Sequence, residues 1–137
     1  MDAAPGFLWS LPNSAIGLVF GALSFRRPRL LDVSPHEARR VLVFDGPARG
    51  YARLIPLFGY SAQTFGHVLI GTVRIEGELL AHELEHVRQY RRWGPLFLPV
   101  YGAMFLRYGY RRHPFELAAA RAAQGAETLA AQEVRAS

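Results

Sequence analysis

The chain has 137 residues, the length of one ordinary domain, and half of them are hydrophobic, enough for a sizeable core. Every one of its 16 basic residues is arginine, the formal net charge is +5, and aromatics and arginines do not interleave as on a nucleic-acid surface, so no nucleic-acid partner is expected. There is no cysteine, which excludes disulfides, thiolate zinc sites and thiol nucleophiles and leaves histidine and carboxylate as the only strong metal ligands.

The first element is "FLWSLPNSAIGLVFGALSF", Phe7 to Phe25, which carries no charge. Asp2 and the lack of a basic residue before it make it a poor signal peptide. As a single helix it would be roughly 28 Å long, close to a bilayer core. Pro12-Asn13-Ser14 interrupts it, so the expected helix starts after an Asn13 or Ser14 cap, ends near Leu23 and is buried. Membrane association through residues 7–25 is the alternative. If the segment spans, Arg26, Arg27 and Arg29 would keep the rest of the chain cytoplasmic. The expected location is therefore the cytoplasm, at most attached to a membrane surface.

Ser34, Pro35 and Glu37 have the order of a helix start and predict a short helical turn. His36 reads as a surface residue. "RVLVFDG", Arg40 to Gly46, predicts a strand ending in a turn. Ala52 to Phe58 is a weaker strand, broken by Pro56. Thr64 to Ile75 is rich in Val, Ile and Thr and predicts a strand region, with His67 as a structural histidine inside it.

The period then changes. Leu80, Leu84 and Val87 recur at helical spacing, and Gly94-Pro95 is a stop signal, which predicts a helix from Gly77 to Trp93. Leu96 to Tyr110 is apolar and aromatic and predicts a kinked helix across the core. Pro114 suits a first helical position and opens an alanine-rich helix to about Val134. Strands before helices argue for an α+β fold in one domain, residues 1–137.

The helix from Gly77 carries His82, Glu83 and His86 in the order His-Glu-x-x-His. Residues four apart differ by about 40° around the axis, so the two imidazoles share a face while Leu80, Leu84 and Val87 point toward the core. Glu83 and Glu85 each lie roughly 80° from the midpoint of the histidines. The tilt of side chains toward the helix N-terminus favours Glu83 as the general base, with Glu85 supporting it or facing solvent. A catalytic zinc usually takes three protein ligands. Glu78 lies one turn before His82, and His113 and Glu116 lie downstream in "RRHPFELAAAR". Glu116 is the preferred third ligand, because a helix start is rigid and holds a carboxylate ionised. His113, at the cap position, reads as a solvated loop histidine.

"HELEH" followed by "HPFELAAAR" resembles the gluzincin class of HExxH zinc metallopeptidases, and the short chain resembles minimal gluzincins. With "LPNSAIGLVFGAL", "FGHVLIG" and "HELEHVRQYRRWGPLFLPVYG", it is also similar to small bacterial HExxH proteins over most of its length. The resemblance implies a zincin-like domain and one zinc held by His82, His86 and Glu116. It implies Glu83 as catalytic base and a peptide or protein substrate. It also implies an edge strand, Phe65 to Val73 here, that pairs with an extended substrate. The motif lacks the second acid of the longer gluzincin glutamate motif, and Tyr90, Tyr101, Tyr108 and Tyr110 are all available to stabilise an oxyanion. The alternative function is a zinc-stabilised binding module or a membrane-associated interaction protein without turnover. The pattern specifies no oligomer.

Overall fold

The computed structural model describes residues 3–33 and 40–136. The turn expected around Ser34, Pro35 and Glu37, with His36, lies outside them. The fold is α+β, a four-stranded sheet and four helices. Helix α1 (Ala3–Ala22) is followed by strands β1 (Arg29–Asp32), β2 (Arg40–Phe44), β3 (Ala62–Phe65) and β4 (Val68–Gly71), then by helices α2 (Gly77–Trp93), α3 (Phe97–Tyr108) and α4 (Pro114–Ala136). The sheet order is β1-β2-β4-β3, with β2 and β4 parallel and both outer pairs antiparallel.

Several local expectations change. Helix α1 does not begin at Asn13 but runs through Pro12, whose ring lies on the exposed side of the helix. Its inner face is a stripe of small and polar residues, Ser10, Asn13, Ser14, Gly17 and Gly21, buried against the sheet, α2 and the 3-10 turn Gly94–Leu96 that follows it. Side-chain bonds hold that stripe in place: Asn13 Nδ2 donates to the Gly94 carbonyl at 2.9 Å, and the backbone N–H of His67 donates to Ser14 Oγ at 3.0 Å. No helix is long and apolar enough to cross a membrane among the described residues.

Ala52 to Phe58 is not a strand. It forms two 3-10 turns, Gly50–Arg53 and Ile55–Phe58, because Pro56 removes a donor that a ladder needs. The apolar run from Thr64 is two strands rather than one. Gly66, at φ 60, turns the chain into a hairpin between β3 and β4. His67 sits in this turn with Nδ1 3.0 Å from Ser10 Oγ, a structural role as expected. The free edge of the sheet on this side is therefore β3, Ala62–Phe65, and not Phe65 to Val73, because β4 is enclosed between β2 and β3. The short strand β1 has no counterpart in the sequence reading.

One face of the sheet packs Val41, Val43 and Leu69 against Leu80, Leu84 and Val87 of α2. The other packs Phe44, Val68 and Ile70 against Ala52, Ile55 and Phe20. A third cluster, Tyr90, Phe97 and Phe115, joins α2, α3 and α4. Helix α3 skirts the surface instead of crossing the core, since only Phe97 of its residues is fully buried. Asp45 fixes the start of α2. Its carboxylate accepts from the Ile75 N–H at 2.7 Å and from Arg29 at 2.6 Å, and the same guanidinium donates to the Ile75 carbonyl at 2.7 Å.

Gly17 tests the packing of α1. A Cβ there would stand 2.7 Å from Val68 Cβ and 2.8 Å from Phe65 Cβ. Gly17→Ala should destabilise the protein by about 1–3 kcal/mol, the scale of an overpacked contact. Chemical denaturation measures it, and an unchanged midpoint would show that α1 is not seated on the hairpin.

Candidate metal centre

The dry side of α2 faces the sheet, so its imidazole side faces α4 and a cleft. His82 and His86 point there together because they are one turn apart. Glu116 reaches them from the first turn of α4. Its Oε2 lies 3.3 Å from His82 Nε2, and its Oε1 lies 3.4 Å from His86 Nε2. The ligand atoms of the three residues all fall within 4.8 Å of one another. Two ligands held at zinc distances in a tetrahedron stand roughly 3.3 Å apart, so the spacing fits that ion.

Hydrogen bonding strengthens the fit. His86 Nδ1 donates to Gln89 Oε1 at 2.9 Å, and Gln89 Nε2 donates to the Phe115 carbonyl at 3.0 Å. The Phe115 carbonyl fixes which end of the Gln89 amide faces His86. His86 therefore carries a proton on Nδ1 and turns Nε2 toward a carboxylate oxygen. When the ring is neutral, two acceptors face each other, and a cation belongs between them. Glu116 Oε2 is also buried with no hydrogen-bond donor among the described residues. The donor set of two imidazoles and one carboxylate suits zinc.

Electrostatics agree with this. Burial opposes ionisation of Glu116, but its contacts with His82, His86 and Tyr101 outweigh that and hold its carboxyl well below the usual range. Burial also disfavours charge on His86, yet Glu116 and Glu83 pull its pKa up. The site is built to hold positive charge, whether proton or metal.

Glu83 is buried beside the cluster and stands outside the three-residue group. Thr64 Oγ1, on β3, donates to its Oε2 at 2.6 Å. Burial pushes the Glu83 carboxyl up, more than His86, Thr64 and His82 pull it down. A raised pKa is what a general base near neutrality needs. Glu85 pairs with Arg88 at 3.0 Å on the outer side of the helix. Glu78 is exposed and is not brought into the cluster.

His113 is not a solvated loop residue. It is fully buried, its Nε2 donates to the Tyr101 carbonyl at 3.0 Å, and its Nδ1 accepts from the Phe115 N–H at 3.2 Å. Its ring lies against that of Tyr101, with centroids 4.0 Å apart. Tyr101 in turn donates its hydroxyl to Glu116 Oε1 at 2.6 Å. Burial and Glu116 both push the Tyr101 hydroxyl up, so it stays a donor. Of the other tyrosines, Tyr90 is buried in the wall, Tyr108 is exposed under Arg107, and Tyr110 is pushed up to about 12 by burial and by Glu116.

A cleft of about 180 Å³ opens over these groups, walled by Phe65, Phe97, Leu98 and Tyr60 as well as the site residues. Thr64, Gln89 and Tyr60 escaped the sequence reading. Only Gln89 left a signal there, lying three residues after His86 on the same helix. No family model matches the chain, and no curated protein or solved structure is detectably similar to it.

Gln89 connects a ligand to the backbone of α4, so it sets the orientation of His86. Gln89→Ala should weaken zinc affinity about 10–100-fold while the fold persists, the usual scale for such a partner. Competition with a chelating dye reads this directly. Unchanged affinity would show that His86 needs no such support.

Proposed function

We propose that the chain is a zinc-dependent peptidase of gluzincin type, with His82, His86 and Glu116 as zinc ligands and Glu83 as general base. One observation carries this reading: two imidazoles and a carboxylate converge on one point while a second buried carboxylate stands beside them, outside the ligand group. Zinc held there supplies Lewis acidity toward a carbonyl oxygen and acidifies water.

The chain's own groups divide the remaining work. Glu83 takes a proton from the attacking water and returns it to the nitrogen of the leaving amine. Thr64 holds one oxygen of that carboxylate and leaves the other for water. Tyr101 donates its hydroxyl to Glu116 and lines the cleft beside it. The free edge of β3 lines the same cleft, so an extended peptide could add to the sheet there, running past Glu83. Phe65, Phe97 and Leu98 give its side chains an apolar, water-poor surface.

A second reading has an observation of its own. Glu116 connects α2, α3 and α4 through His82, His86 and Tyr101, so a metal there would also staple a small core. Glu83→Gln separates the two. A peptidase should keep one zinc per chain and lose hydrolysis of an accepted peptide by about a hundredfold or more, the scale of a positioned base. Equal turnover by both proteins would sink the base assignment, and zinc binding with no turnover of a broad peptide library would favour the staple.

A further inference from the structure

Helix α1 is built inside out for a helix in water. Its buried stripe is small and polar, while its outer face carries Leu8, Trp9, Leu11, Ile16, Leu18 and Val19, with Leu23 just past its end, each 40% exposed or more. The apolar surface continues past the end of the helix. Phe25 is held at φ 51, in the left-handed region, with its ring 74% exposed. Its neighbour in space is the 3-10 segment: the Tyr51 N–H donates to the Leu23 carbonyl, and a side chain at Gly50 would strike the Phe25 ring. That segment adds Leu54 at 48% exposure and Leu57 at 77%. A contiguous apolar surface of this kind marks an interaction site rather than ordinary scatter.

Cations gather at one end of it. Arg27, Arg49 and Arg53 are exposed, and none of the three makes an ion pair among the described residues. Residues 3–31 contain no acid. Arg29, by contrast, is neutralised by Asp45.

We propose that this face docks on an anionic lipid surface, with the outer side of α1, Phe25 and Leu57 in the acyl boundary and the unpaired arginines among the headgroups. The contact is interfacial: no helix among the described residues is long and apolar enough to span. An apolar helix face flanked by arginine is the composition that interfacial anchors use, and anionic headgroups supply the missing counter-charge. A second copy of the chain fits less well, because its own α1 face offers the arginines no acidic partner. This inference is independent of the peptidase reading.

Sedimentation of the full chain with vesicles tests it. Phosphatidylcholine vesicles containing phosphatidylglycerol should bind about tenfold more protein than phosphatidylcholine alone, with a loss at high salt. Leu18→Gln with Val19→Gln should lower binding about tenfold, and Arg27→Gln with Arg53→Gln should narrow the preference for the anionic lipid. If the double glutamine variant does not fold, Trp93→Phe keeps the question open to measurement, because Trp9 is then the single tryptophan. Brominated lipid should quench it. The proposal is overturned if neither vesicle binds the wild type, if bound protein leaves Trp9 unquenched, or if the folded Leu18/Val19 variant binds as before. A wild-type dimer that the same variant dissolves, with no vesicle binding, would assign the face to a second copy.

Discussion

The carboxylate of Glu116, held between the Nε2 atoms of His82 and His86, is the constraint on which the rest of this molecule turns. A buried carboxylate is expensive unless positive charge and hydrogen bonds surround it. Here every element near it contributes: two imidazoles from α2, a hydroxyl from α3, and the first turn of α4 on which it stands. Removing the positive charge between Glu116 and His86 would leave two acceptors facing each other. The geometry of three helices therefore meets at one small polar site with the donor set to hold a cation.

The remaining architecture keeps that site rigid from behind. The sheet takes the apolar side of α2, and Asp45 pins the residue just before the helix to β2. Gln89 fixes one imidazole to the backbone of α4, and His113 fixes Tyr101. Thr64 is the single described side chain of the sheet that donates to Glu83, and it does so from the edge strand. The catalytic assignment and the substrate-edge assignment thus meet at one hydrogen bond.

Much of this was legible in the sequence where short-range rules dominate. The bounds of α2 follow from the leucine spacing and Gly94-Pro95, the start of α4 from Pro114, and β2 from its β-branched run. The convergence of His82 with His86 follows from helical period alone, and the placement of Glu116 beside them agrees with an ionised acid at a helix start. What stayed hidden depends on distant partners. Helix α1 runs through Pro12, and Asn13 and Ser14 bond to Gly94 and His67 instead of capping a helix. The hairpin at Gly66 replaces one strand by two, since a glycine at positive φ is indistinguishable from a strand glycine by composition. Thr64 carries no local signal, because its partner Glu83 lies 19 positions away, and the burial of His113 follows from Tyr101, 12 positions before it, although its bond to the Phe115 N–H is local.

The measurement closest to the central claim is zinc stoichiometry across two carboxylate variants. The wild-type chain and Glu78→Ala should each bind one zinc with equal affinity, because Glu78 is exposed and outside the cluster. Glu116→Ala should lose tight binding, and amide exchange across residues 114–123 should rise in the wild type when a chelator removes the metal. Full zinc retention by Glu116→Ala, with exchange in α4 indifferent to chelator, would contradict the account and leave Glu116 an acid placed only by its helix.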